Sequence, residues 1–418
     1  MIRSTSQAAP PANPMEPVDA AAARPAGSGD TVYTVIIAIG FCHLLNDMMQ
    51  SLLPAIYPSL KADLGLTFGQ VGLVTFVFQV TASILQPLAG WYADRRPAPW
   101  ALPFGTLFSL AGLSVLSVAH RYGSVLIGAA LLGMGSSIFH PESSRVARMA
   151  GGPRHGLAQS LFQVGGNVGQ ALGPLAAALV VVRWGQSSLA FFALLALLSG
   201  AVLWNVSVWY RHHGLARLRA SSHAHAAAHL PRGEALRVVG ILLTLIFSKY
   251  VYLASITSYF TFYLMHRFGV TVAQAQLKLF LFMGAVAVGT LLGGPLGDRI
   301  GRRRVIWLSI LGPLPFTLLL PHASLAGTTP LILLIGLIMA SAFPAIIVYA
   351  QELVPGNVGM IAGLFFGFAF GMSAIGAALL GWLADRAGLE TVYQVCAFLP
   401  LMGLLCLRLP EAAPRTRS

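Results

Sequence analysis

The stretch CHLLNDMMQ (42–50), inside an apolar run, carries His43, Asn46, Asp47 and Gln50. Their spacing of i, i+3, i+4 and i+7 sets them on one stripe of a helix. A second apolar run ends in GSSIFHPESSRVARMA (135–150), which supplies His140, Glu142 and Arg145. A third, FSKYVYLASITSYF (247–260), holds Lys249 with a polar-aromatic face of Ser248, Tyr252, Ser255 and Tyr259. Gln159, Gln163 and Asn167 recur at every fourth position of another run. Imidazoles and carboxylates carry protons near neutral pH. Lysine, arginine and amide or phenol donors hold anions. Glu142 and Arg145, three apart, can neutralise each other. A proton reaching Glu142 would release Arg145 to hold an anion.

Composition says what positions these groups. The chain has 418 residues, 56% hydrophobic and only 9% charged, against about 25% charged in a soluble domain. Apolar stretches of about 20 residues recur from end to end, each long enough to cross a hydrocarbon core of about 30 Å. Only helices satisfy every backbone group within such a stretch. The class is an all-α polytopic membrane protein whose partner is the lipid bilayer. An ionised side chain at the bilayer centre costs on the order of 2.5–3.5 kcal/mol, so the polar stripes call for a function.

About twelve spans emerge, in two sets of about six. The organisation reads as a disordered tail over 1–32, a first bundle over 33–209, a linker over 210–236, a second bundle over 237–410 and a short tail over 411–418. Pro141 predicts a kink in the fourth span. The net charge of +13 reflects basic loops, not a nucleic-acid surface. With the N-terminus inside, most arginines fall on cytoplasmic loops, leaving Lys61, Arg121, Arg183, Arg267 and Arg386 outside. Both termini are thus expected in the cytoplasm. Cys42, Cys396 and Cys406 all lie in apolar runs, so structural disulfides are not expected.

The halves repeat. A shift of about 204 lays GWYADR (90–95) on GPLGDR (294–299), and Gly156 falls on Gly359. Gly90, Asp94 and Arg95 match Gly294, Asp298 and Arg299, followed by Gly301 and Arg302. Both copies end an even-numbered span. Glycines allow close helix approach, and an aspartate can cap a helix start or pair with arginine. The pair suits a latch between bundles that opens and closes.

On these residues the chain resembles the major facilitator superfamily, whose hallmark is this doubled loop. The first copy departs from the pattern: Pro97-Ala98-Pro99 stands where a glycine and basic cluster are expected, so latching should rest more on the second copy. Gly169 to Pro174 is similar to the glycine-proline motif of the superfamily's antiporters. HLLNDMMQSLLPAIYPSL (43–60), GLAQSLFQVGGNVG (156–169) and VYAQELVPGNVGMIAGLFFGFAFGM (348–372) resemble its branch that exports phosphonate antibiotics such as fosmidomycin. The resemblance implies two six-helix bundles related by a pseudo-two-fold axis, with spans 1, 4, 7 and 10 lining a central cavity. It implies proton antiport by a bacterial inner-membrane protein acting as a monomer. In that frame Asn46, Gln50, Arg145, Gln163, Asn167, Lys249, Tyr252 and Tyr259 are expected to contact a small anionic substrate. His43, Asp47, His140 and Glu142 are expected to handle protons.

Other readings are weaker. An importer or facilitated-efflux carrier of an organic anion would need the same cations. An intramembrane enzyme using His140 and Glu142 lacks a zinc or triad spacing, so no enzyme, cofactor or metal is expected. HAHAAAH (223–229) reads as linker.

Overall fold

The computed structural model describes residues 31–66, 68–215, 231–354 and 356–410. The two expected tails, most of the linker and HAHAAAH lie outside the described residues. Among the described residues twelve apolar helices follow one another, with a short helix Tyr57–Leu64 after the first: α1 Tyr33–Ala55, α2 Leu73–Arg95, α3 Ala101–Ser117, α4 Tyr122–Ala150, α5 His155–Val181 and α6 Gln186–Gly214 form one half. The other half is α7 Gly233–Phe268, α8 Leu277–Ile300, α9 Arg302–His322, α10 Leu325–Leu353, α11 Val358–Ala387 and α12 Leu389–Arg408. Eleven are long and apolar enough to cross a membrane, and α3 is a shorter apolar helix. Helices α6 and α7 both run into the stretch expected as linker.

The outside of the bundle is greasy. Phe76, Ile84, Leu88, Phe104, Leu179, Phe280 and Leu379 are all exposed, a surface that lipid covers. Inside each half, small residues bring helices together. Gly165, Gly169 and Gly173 of α5 lie against Gly40, Leu44 and Ser51 of α1, where an added Cβ would collide. This is the contact made by the glycine-proline motif. Helix α4 runs from Tyr122 to Ala150 as one helix with Pro141 inside it. Wider π turns interrupt α2 at Val80–Ile84, α5 at Ala177–Val181 and α6 at Tyr210–Gly214. The three cysteines are free and buried.

The halves meet along two matched seams, α2 on α11 and α5 on α8. On the first, Gly359, Gly363 and Gly367 press on Gly90, Gln86 and Ser83. Spaced by four, these glycines form one face of α11, which the repeat alone did not expose. One turn further, Gly371 has nothing within 4 Å of where its Cβ would stand. The close α2–α11 contact thus runs from the doubled-loop end as far as Gly367 and is not continued at Gly371.

Candidate functional site

Each loop aspartate grips the start of a helix in the opposite half. Asp94 accepts the Gly359 and Met360 N–H groups at 2.9 and 2.8 Å, at the first turn of α11. Asp298 accepts the Gly156 and Leu157 N–H groups at 3.2 and 3.0 Å, at the first turn of α5. Carboxylates are favoured there, because unpaired N–H groups and the helix dipole both point outward. The two residues that the repeat paired, Gly156 and Gly359, are thus the two gripped helix starts. Gly90 and Gly294 let the backbones touch: a Cβ on either would run into the carbonyl oxygen of Gly359 or Gly156. Gly301 takes φ 97°, which turns the chain sharply into α9 and its Arg302.

Each aspartate also has a buried arginine. Asp298 pairs with Arg302, which lies 3.5 Å from Glu352. Asp94 pairs with Arg145 at 2.8 Å. This bears on two expectations. The first loop copy also holds a buried guanidinium, supplied by α4 and not by the loop itself. Arg145 stands at the latch and not among the cavity-lining residues: it donates to the Ala93 carbonyl at 2.6 Å and to the Tyr210 hydroxyl at 3.0 Å. Arg95 and Arg299 are exposed, and Arg95 lies over the Trp91 ring, away from the seam.

Glu142 sits 3.7 Å from the Arg145 Nε atom, buried beside the same latch. Asp94 and Glu142 therefore compete for one guanidinium. Removing the second anion leaves Arg145 to Asp94 alone and strengthens the closed arrangement. Glu142→Gln should slow transport by roughly tenfold or more, since it rearranges a buried ion pair, and flatten its pH dependence. Initial rates across a pH series would check this, and an unchanged profile would remove Glu142 from the gate.

Beyond the seams lies a cavity of about 330 Å³ between the halves, a size suited to a small molecule. Gln163, Asn167 and Lys249, expected to meet substrate, do line it, as do His43 and Asp47. Gln170, Tyr250 and Thr290 line it as well and were missed. Gln170 continues the Gln163, Asn167 spacing and could have been found. Asn167 donates to Thr290 across the seam at 3.1 Å.

Lys249 is the cavity's cation. It is 4% exposed, and its ammonium lies 5.2 Å from the Tyr250 ring and 5.3 Å from the Phe343 ring. No acidic side chain pairs with it among the described residues. Tyr252 and Tyr259 are on the wrong side of the same helix. Lys249, Tyr250, Leu253 and Thr257 face the cavity, whereas Ser248 donates to Leu399 of α12 and Tyr259 to Ala377 of α11. Tyr252 packs in the core of the second half. A hydroxyl-rich stripe served neighbouring carbonyls, the usual need of hydroxyls in a dry helix.

Opposite Lys249, His43, Asp47 and His140 converge, with ligand atoms all within 4.8 Å of one another. Asp47 lies 3.5 Å from His43 Nε2 and 3.3 Å from His140 Nε2. Asn46 and Gln50, expected at the substrate, instead donate to Asp47 at 3.1 and 3.5 Å, and Gln170 donates at 2.9 Å. Such a cluster can hold a small positive charge.

The sequence matches the Major Facilitator Superfamily over residues 39–365 and again over 251–418. It is 55% identical to the fosmidomycin resistance protein of Escherichia coli (strain K12) over 397 residues, 95% of this chain and 97% of that protein. It is 43% identical to YfnC, an uncharacterized MFS-type transporter of Bacillus subtilis (strain 168), over 385 residues, 92% of this chain and 94% of that one. Its fold resembles the crystal structure of the human organic anion transporter MFSD10, with a TM-score of 0.71 at 18% identity, covering 91% of this chain and 100% of that one.

Proposed function

The chain belongs to the Major Facilitator Superfamily, and from that premise we propose that it exports a small phosphonate-type organic anion, fosmidomycin among them, in exchange for protons. The observation that carries this reading is Lys249, a buried cation without an acidic partner among the described residues, facing a cavity lined with amide donors. A buried charge left uncompensated is costly, and an arriving phosphonate supplies the missing anion. The 55% identity to a protein named for fosmidomycin resistance supports the substrate class.

The latches set the cycle. With the loop ends in the inner-membrane cytoplasmic face, as the basic loops favour, this conformation is closed to the cytoplasm and open outward. Substrate leaves here. The empty carrier must then close around its cavity and return, and the His43, Asp47 and His140 cluster takes up a proton for that step. Release into the more alkaline cytoplasm frees the carrier for the next anion. The protein acts as a monomer in this scheme, since one chain builds both halves of the site.

A membrane potential alone pushes an anion outward by about 2.3 kcal/mol per 100 mV, so flux must be measured with the two gradients separated. In sealed vesicles, radiolabelled fosmidomycin should move against its own gradient when only a pH gradient is imposed. Movement under potential alone would make this a facilitated anion carrier. No movement under either would overturn the substrate.

A further inference from the structure

We infer that His43, His140 and Asp47 hold a single proton between them in this conformation, carried on the two imidazole Nε2 atoms that face each other. The inference deepens the proposed proton leg and rests on it for its place in the transport cycle.

The hydrogen positions follow from the partners. His43 Nδ1 lies 2.7 Å from the carbonyl oxygen of Phe162. His140 Nδ1 lies 3.0 Å from the carbonyl oxygen of Ser136 and 3.2 Å from its hydroxyl, which can accept alongside the carbonyl. A carbonyl only accepts, so both Nδ1 atoms carry hydrogen. In neutral rings both Nε2 atoms are then bare. They stand 3.2 Å apart, with Asp47 oxygens at 3.5 and 3.3 Å. Three acceptors face one another with no donor between them. One added proton turns the central contact into an N–H···N hydrogen bond and places a cation beside the carboxylate.

Charge points to the same number. Without the proton the trio carries one negative charge. With one it is neutral, and with two it carries one positive charge. All three side chains are at most 3% exposed, where net charge is expensive. Aromatic rings close the surroundings: Phe162 stacks on His43 at 4.1 Å, and Phe366 and Phe370 lie 5.0 and 5.4 Å from His140. Their faces suit a delocalised cation. The amides of Asn46 and Gln170 point donors at Asp47 and keep it an acceptor. Of the other groups around the cavity, α7 presents Lys249 and Tyr250. Helix α5 presents the uncharged Gln163, Asn167 and Gln170, and α11 presents Phe366, Phe370 and Ser373.

Solid-state 15N NMR of histidine-labelled protein in lipid vesicles at neutral pH, without substrate, tests this. Two rings should show protonated Nδ1 atoms and one proton coupled to both Nε2 atoms. Both ring signals should change in either His43→Gln or His140→Gln, and Asp47→Asn should abolish the shared proton. A bare Nδ1, two separately charged rings, or stoichiometric zinc in the purified protein would overturn the inference. The wild-type spectrum alone decides, so a poorly folding variant does not weaken the test. Because no substrate is present, a shared proton in a protein that fails to move fosmidomycin would sink the substrate assignment and leave the proton site standing.

Discussion

Lys249→Met should weaken phosphonate binding by roughly 10- to 150-fold, the worth of one charge-assisted hydrogen bond at 1.5–3 kcal/mol. Export at low substrate should fall in proportion. The ammonium has no competing carboxylate partner among the described residues, so little of its effect is spent inside the protein. Methionine keeps an apolar side chain of similar length beside the Tyr250 and Phe343 rings and removes a buried charge, so the fold should tolerate it. Equilibrium binding of radiolabelled fosmidomycin to purified protein would check the prediction. Unchanged affinity would move the anion site elsewhere in the cavity.

Gly294→Leu should disable the gate without touching the cavity. The Gly294 backbone meets Gly156 so closely that even a Cβ collides with a carbonyl oxygen. Overpacking of this kind costs about 1–3 kcal/mol, and here the cost falls on the closed seam alone. The population should shift roughly 5- to 150-fold toward the form open at the loop end. Gly90→Leu should act likewise on the other seam. Spin labels at Arg95→Cys and Arg299→Cys, both exposed and in different halves, would report the separation by pulsed electron resonance. A distance distribution identical to that of the unsubstituted gate would mean that close backbone approach does not hold this end shut.

The spans were legible because hydrophobic length is read one helix at a time. The doubled loop was legible because it repeats. What failed was any feature decided by a neighbour. The stripe of Ser248, Tyr252 and Tyr259 was visible as a stripe, but nothing within α7 says which of its polar faces meets water. The cavity took the face of Lys249 and Tyr250, while carbonyls of α12 and α11 accept from Ser248 and Tyr259. Arg145 was visible as a buried cation, yet its capture by Asp94 depends on the placement of α2 beside α4. Asn46 and Gln50 were rightly found on the Asp47 face, but at one helix's range they serve Asp47 itself. The i, i+4 spacing puts His43 and Asp47 on one face of α1, but that His140 joins them depends on the placement of α4.

Across the seam, both latch aspartates take hold of amide hydrogens, not of side chains. A carboxylate reading two N–H groups is indifferent to what Met360 or Leu157 carries beyond its Cα. What the grip requires is that a helix begin there. Preference for a cargo, by contrast, is written in the side chains around Lys249. The two properties thus occupy separate alphabets, one of main chain and one of side chain, and selection can edit either alone. Changes at the cavity positions around Lys249 can therefore alter what is carried while the gate is inherited unaltered.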